Sequence, residues 1–161
     1  MTPHTESELR LKWLVKTFDA LTVPELYAIL RLRQRVFVAE QNCPFVDADN
    51  KDQASHHLCY VDATGTLLAY ARLLPVGAAY ANHISIGRVV CSPQARKTGL
   101  GRALMQKSIE TIWQLYGFSP IKIQAQAYLT AFYESLGFVG IGQNYLDDGI
   151  WHVDMLLHPE K

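Results

Sequence analysis

The stretch that most restricts this chain is an apolar run, Ile86-Gly87-Arg88-Val89-Val90-Cys91, that passes through Ser92-Pro93-Gln94-Ala95-Arg96-Lys97-Thr98-Gly99-Leu100-Gly101 into an amphipathic pattern from about Arg102. Strand, glycine-bearing loop and helix in direct succession deliver a helix N-terminus to the end of a sheet. The first four helix N–H groups have no intrahelical acceptor, and the macrodipole concentrates about half a positive charge there. A pyrophosphate satisfies both. Gly99 and Gly101 have no side chain to hold ligand oxygens off the backbone, and Arg96, Lys97 and Arg102 add positive charge. The segment Arg96 to Arg102, with Thr98 and Leu100 between the glycines and the cations, therefore reads as an anion cradle.

Two other phosphate-binding patterns do not fit. A P-loop requires Gly-Lys followed by Ser or Thr, which neither glycine here provides. A dinucleotide fingerprint requires a third small residue where Leu104 stands, and an acidic residue about 20 positions on, where the next strand carries Lys122 and Gln124.

With 161 residues, 49% of them hydrophobic, the chain can bury one substantial core, so a single domain over residues 1–161 is expected, with the polar stretch 1–10 as a tail. Fifteen basic and fifteen acidic side chains balance, which leaves no global field for nucleic acid or an anionic membrane. The first residues lack a signal-peptide pattern and no run approaches the ~18 apolar residues of a membrane helix. Cys43, Cys59 and Cys91 are widely spaced and read as reduced, buried thiols, consistent with the cytoplasm.

Periodicity and turn residues give the order of elements. Leu11 to Phe18 reads as a strand, and Thr22-Val23-Pro24-Glu25 as a capping box opening a helix that runs past Arg33. Asn42 to Ser55 reads as a long loop. His57–Val61 and Leu67–Leu74 flank a turn at Asp62-Ala63-Thr64-Gly65. A strand over Ile84–Cys91, a helix over Leu100–Tyr116, a strand over Ile121–Ala125 and a short helix over Thr130–Leu136 follow. Phe138–Tyr145 and Ile150–Leu156 close the chain as a hairpin around Asp147-Asp148-Gly149. The result is a mixed α/β domain.

Arg96-x-x-Gly99-x-Gly101 matches the [Gln/Arg]-x-x-Gly-x-[Gly/Ala] signature of the GNAT acetyltransferase superfamily, and Phe132-Tyr133-Glu134 followed by Gly137-Phe138 resembles its FYE-x-x-GF motif. Leu32-Arg33-x-x-Val36-Phe37-Val38-x-Glu40-Gln41-x-Cys43-Pro44, Ile86-Gly87-Arg88-Val89, Ala125-Gln126-Ala127 and Asp148-Gly149-Ile150-x-His152 look like the ElaA-like branch, so the resemblance spans about Leu11 to Leu156. It implies a central mixed, mostly antiparallel sheet with a splayed strand pair and about four flanking helices. It also implies acetyl-coenzyme A as co-substrate and a primary amine of a small molecule or peptide as acceptor, in a monomer or homodimer. One departure stands out: many members have glycine directly after the arginine, where this chain has Lys97.

By the same resemblance, Val89 and Cys91, with Val90 between them, pair their backbone with the pantetheine arm, and the Val89 N–H faces the thioester oxygen. Gln126, Phe132 and Tyr133 join the cofactor-binding set. Tyr133 occupies the position of the acid that protonates the leaving thiolate; the alternative is a core aromatic. Glu40 is the first choice of base and His152 the second, against readings as an arginine partner and a structural histidine. Arg72 and Arg88 sit mid-strand, where charge is costly unless paired or lining a cleft, so with Arg33 they bind an acidic acceptor group or pair with Glu40 or a loop aspartate. His56 and His57 beside Asp47, Asp49 and Asp52 lack metal-ligand spacing and read as solvated loop residues, so no metal is expected. Two other classes fit the pattern less well: a non-catalytic acyl-CoA-binding module, and a homoserine-lactone-like synthase suggested by Arg33-x-x-Val36-Phe37.

Overall fold

Strand β3 (Leu67–Leu74) explains the layout, because Ala69 to Leu74 are all buried and both of its faces must be covered. The computed structural model describes residues 12–160; the tail expected over 1–10 lies outside them. Strands β1 (Lys12–Thr17), β2 (His56–Val61), β3 and β4 (Ser85–Cys91) form an antiparallel sheet in that order. Strands β5 (Ile121–Gln126), β6 (Val139–Asp147) and β7 (Ile150–Leu157) form a second, ordered β5-β7-β6. The two meet at a parallel bridge, Ile84 to Ile121, where the Lys122 N–H donates to the Ile84 carbonyl at 3.0 Å.

Helix α1 (Val23–Arg33) covers one face of the first sheet through Ile29 and Leu32, which pack with Cys59, Tyr70 and Val90. Thr22 and Glu25 form the reciprocal capping box, with the Glu25 N–H donating to Thr22 Oγ1 at 3.2 Å and the Thr22 N–H to Glu25 Oε1 at 2.8 Å. Helix α2 (Leu100–Tyr116) covers the other face with Leu104, Met105 and Ile112, and ends where Gly117 turns at φ 90°. Helix α3 (Thr130–Glu134) packs on the second sheet. Three α-helices thus flank the sheets among the described residues, not about four. The helix expected to run past Arg33 does so as a π-helical stretch, Gln34–Glu40, continuous with α1. Its wider turns appear in the Gln41 N–H to Val36 carbonyl and Cys43 N–H to Val38 carbonyl bonds, both 3.1 Å.

Strand β4 carries one extra residue. Arg72 stands opposite Gly87 and Tyr70 opposite Val90, and within this bulge Arg88 has φ 50°. Because side chains alternate along a strand, the insertion exchanges the faces beyond it: Ile86 packs with the α2 core and Val90 with the α1 core.

The long loop 42–55 is tied to this bulge by ionic contacts. Arg33 Nε donates to Asp47 Oδ2 and Nη1 to Asp52 Oδ1, both at 2.8 Å. Arg72 grips both oxygens of Asp49 at 2.7 and 2.8 Å and reaches Asp52 Oδ1 at 2.9 Å. Arg88 Nε donates to Asp47 Oδ1 at 2.8 Å. Arg33 is 0% exposed and Arg72 3%, so neither meets a substrate; their assignment to the acceptor site is corrected to a structural one. Asp47, Asp52 and His57 are likewise buried rather than solvated, and Asp49 is half-buried against Arg72. His57 Nε2 lies 2.9 Å from the Asp52 carbonyl, which can only accept, so Nδ1 accepts from the Tyr70 hydroxyl at 2.6 Å.

Burial pushes the Asp49 and Asp52 carboxyls up, but hydrogen bonds and charge from Arg72, and for Asp52 also Arg33, outweigh it and hold both below the usual range. Their stabilising contribution is therefore complete above the unfolded carboxylate value of about 4 and is lost as pH falls toward the folded values. Asp52→Ala leaves Arg33 and Arg72 short of a counter-charge and should lower the unfolding free energy by about 3 kcal/mol in urea denaturation at neutral pH. The deficit relative to wild type should shrink as the pH of the titration is taken below about 4.

Candidate active site

Past the Ile84–Ile121 bridge β4 and β5 part, and a cleft of about 480 Å³ opens between them. Arg88 to Cys91 line one wall; Gln124, Gln126 and His152 line the other. Tyr133 lies within, Glu40 and Gln41 come from the π-helical stretch, and Asp147 and Asp148 come from the β6–β7 turn. Two contacts bridge the cleft: Cys43 Sγ to the Asp148 carbonyl at 3.3 Å and Gln126 Nε2 to Gln41 Oε1 at 3.3 Å.

The bulged strand turns its free edge to this space. The Ser92 N–H donates to the Leu68 carbonyl at 2.7 Å. Since successive strand N–H groups point alternately, Val90 directs its N–H toward β3, and Cys91 and Val89 direct theirs to the parted edge.

Tyr133 is 8% exposed, packed edge-on against Phe132 and Phe138 at ring separations of 5.2 and 5.9 Å. Burial pushes its phenol up to about 12, so it carries its proton at neutral pH. Its hydroxyl has no hydrogen-bond partner among the described residues.

Glu40 is not free to act as the first-choice base. Its carboxylate is clasped by both terminal nitrogens of Arg96, with Nη2 to Oε2 at 3.1 Å, and the Arg96 hydrogen bond holds its pKa below the usual range. A carboxylate so held is a weak proton acceptor. His152 Nδ1 lies 2.8 Å from the Ile150 carbonyl, which can only accept, so in the neutral ring Nδ1 carries the proton and Nε2 is the acceptor. The ring stacks on Tyr145 at 6.2 Å. Arg88 lines the cleft, yet its Nε and Nη2 are engaged by Asp47 and Asp49.

At the cradle, Gly99 caps α2 at φ 82°, ψ 2°, and the first helical bond runs from the Ala103 N–H to the Gly99 carbonyl at 3.2 Å. The N–H groups of Leu100, Gly101 and Arg102 are thereby left without helical acceptors. A Cβ at Gly101 would meet nothing within 4 Å, so packing does not demand glycine there, although glycine weakens a helix relative to alanine. Open space beside unpaired donors is what an anion requires. Thr98 Oγ1 donates to the Ala95 carbonyl at 2.6 Å and shapes the turn, in which Lys97 adopts φ 62° despite its side chain. Arg102 reaches Ser135 Oγ at 2.6 Å and lies over the Phe132 ring, 5.7 Å from its centre.

Asp147, Asp148, Gln41 and Gln124 also line the cleft; Gln41 and Asp148 lie in the ElaA-like motifs and Gln124 on the predicted strand, with no role assigned to them in the sequence, while Asp147 reads there simply as a turn residue. Two carboxylates at that tip were the available signal.

Residues 34–158 match a family model described as an acetyltransferase (GNAT) domain. A Schizosaccharomyces pombe UPF0039 protein is 42% identical over 91% of this chain and 97% of its own length. Protein ElaA of Escherichia coli is 37% identical over 90% of this chain and 95% of its own; its crystal structure superposes with a TM-score of 0.85, covering 92% of this chain and 100% of that one. An acyl-CoA N-acyltransferase from Pseudomonas aeruginosa is 41% identical with a TM-score of 0.87, covering 92% of this chain and 99% of that one.

The left-handed backbone at Lys97 has a measurable cost. Lys97→Gly should raise the unfolding free energy by about 0.5–1 kcal/mol, read from urea denaturation. An unchanged or lower value would mean that the turn is not strained.

Proposed function

Because this chain belongs to the GNAT acetyltransferase family, and within it to the ElaA-like proteins, we propose that it transfers the acetyl group of acetyl-CoA to a primary amine of a small molecule or peptide by direct attack in a ternary complex. Family membership supports acyl-CoA-dependent acyltransferase activity; the acetyl group, the amine and the residue roles are our reading. The observation that carries it is the parted β4–β5 edge: its cleft is lined by Arg96 and holds Tyr133, and β4 leads on through Arg96 to the open cradle at Gly99–Gly101. Three unpaired thiols, Cys43, Cys59 and Cys91, suit a cytoplasmic setting.

Acetyl-CoA would supply an acyl group activated as a thioester. The N–H groups of Leu100, Gly101 and Arg102, with Arg96, Lys97 and Thr98 around them, would hold its pyrophosphate. Val89 and Cys91 would pair with the pantetheine arm across Val90, and Gln126 and Phe132 would flank it. The Val89 N–H would stabilise the negative charge that grows on the thioester oxygen during attack. Tyr133 would donate its proton to the departing thiolate.

An alkylamine is protonated at neutral pH, with a pKa of about 10.4, so removing its proton costs about 4–5 kcal/mol. His152 Nε2 would accept that proton, directly or through a water. Glu40, tied to Arg96, would act on the acceptor through position rather than as the base.

Isothermal titration with acetyl-CoA should give micromolar binding that Gly101→Glu abolishes by placing a carboxylate in the cradle; absence of wild-type binding would defeat the proposal. Tyr133→Phe should cut turnover by about 10- to 1000-fold with acetyl-CoA affinity retained, and unchanged turnover would remove Tyr133 as the acid.

A further inference from the structure

We propose that Glu40 is an internal competitor for the co-substrate: its carboxylate occupies Arg96 in the free protein and releases it when the pyrophosphate of CoA docks at the cradle. The inference rests on the transferase reading above and assigns Glu40 a part in setting co-substrate affinity.

The charges flanking the cradle carry the argument. Three cations stand there, Arg96, Lys97 and Arg102. Arg102 donates to the Ser135 hydroxyl, a neutral partner, and lies over the Phe132 ring, so its charge is not cancelled. Lys97 has no carboxylate partner among the described residues. Arg96 differs from both: Nη1 reaches Glu40 Oε1, and Nη2 reaches Oε2 at 3.1 Å. Two parallel donors are what an arginine offers a phosphate, and here both terminal nitrogens are engaged by a carboxylate instead.

Placement and exposure make the exchange possible. Both residues line the cleft, and their side chains are 38% and 42% exposed, so a ligand reaches the guanidinium without displacing any core residue. Arg33 and Arg72, by contrast, meet Asp47 and Asp52 in buried contacts closed to any ligand. Arg96 stands three residues before Gly99, whereas Glu40 comes from the end of the π-helical stretch. An exposed pair opens readily, and apparent affinity for an anion falls with the fraction of time the arginine is free, by about two- to fivefold for a pair of this kind. Docking of the pyrophosphate in turn returns the Glu40 carboxylate to the cleft, so occupancy of the cradle sets the charge at the end of the π-helical stretch.

The test is isothermal titration of the wild type, Glu40→Gln, Arg96→Gln and the double variant with CoA. Glu40→Gln should bind CoA about two- to fivefold more tightly than the wild type, and added salt should narrow the gap. In the Arg96→Gln background the same change should leave the affinity within about 1.5-fold, because no guanidinium remains to be released. Equal or weaker binding by Glu40→Gln would overturn the proposal. So would a gain of the same size in the Arg96→Gln background, since Glu40 would then act only by repelling the anion at a distance. If CoA binds none of the four proteins, the transferase reading falls, and the same cycle run with inorganic pyrophosphate decides the competition at Arg96 by the same criteria.

Discussion

The cluster in which Arg33, Arg72 and Arg88 interlock with Asp47, Asp49 and Asp52 is the constraint on which the rest of the molecule depends. It joins the end of α1, the middle of β3, the bulge of β4 and a loop that has almost no regular structure of its own. A loop of that length would ordinarily gain little from ordering. Here it stays in place because letting go would leave buried guanidinium groups without counter-charges. Arg72 Nε remains without a hydrogen-bond partner even so, a sign that the cluster was not assembled for stability alone.

What the cluster holds in place is the bulge, and the bulge makes the cleft useful. One inserted residue at Arg88 aims Val90 into the α1 core and leaves the neighbouring N–H groups facing the parted edge. A left-handed arginine in mid-strand would be unfavourable by itself. Two carboxylates of the loop grip its guanidinium and keep it there. Loop, bulge and donor edge are in this sense one device, reached through side chains far apart in sequence.

Much of this was legible from local chemistry. Thr22 and Glu25 marked the start of α1, Gly117 the end of α2, and the alternation around Asp62-Ala63-Thr64-Gly65 the β2–β3 hairpin, because caps and turns are decided by residues within reach of each other. The cradle was readable for the same reason. Partnerships were harder to read. Arg33 and Arg72 look like ligands for an acidic substrate until Asp47, Asp49 and Asp52 come to meet them, and Glu40 looks like a free base until Arg96 arrives from a residue separation of 56. Which of two complementary charges remains unpaired is a property of the fold. That is why Arg33 and Arg72 read as site residues, when in the structure they are buried against the loop aspartates.

The bridging contacts of the cleft have a bearing on how the chain acquires it. Gln41 meets Gln126 across 85 residues and Cys43 meets Asp148 across 105, each through a single contact. Closing loops of that size carries an entropic cost that a lone hydrogen bond does not offset, so these contacts form after both sheets have condensed. By the same token they are the first native contacts to give way in fluctuations of the folded molecule. That side of the cleft is therefore the last part of the protein to be completed during folding and the first to loosen once folding is over.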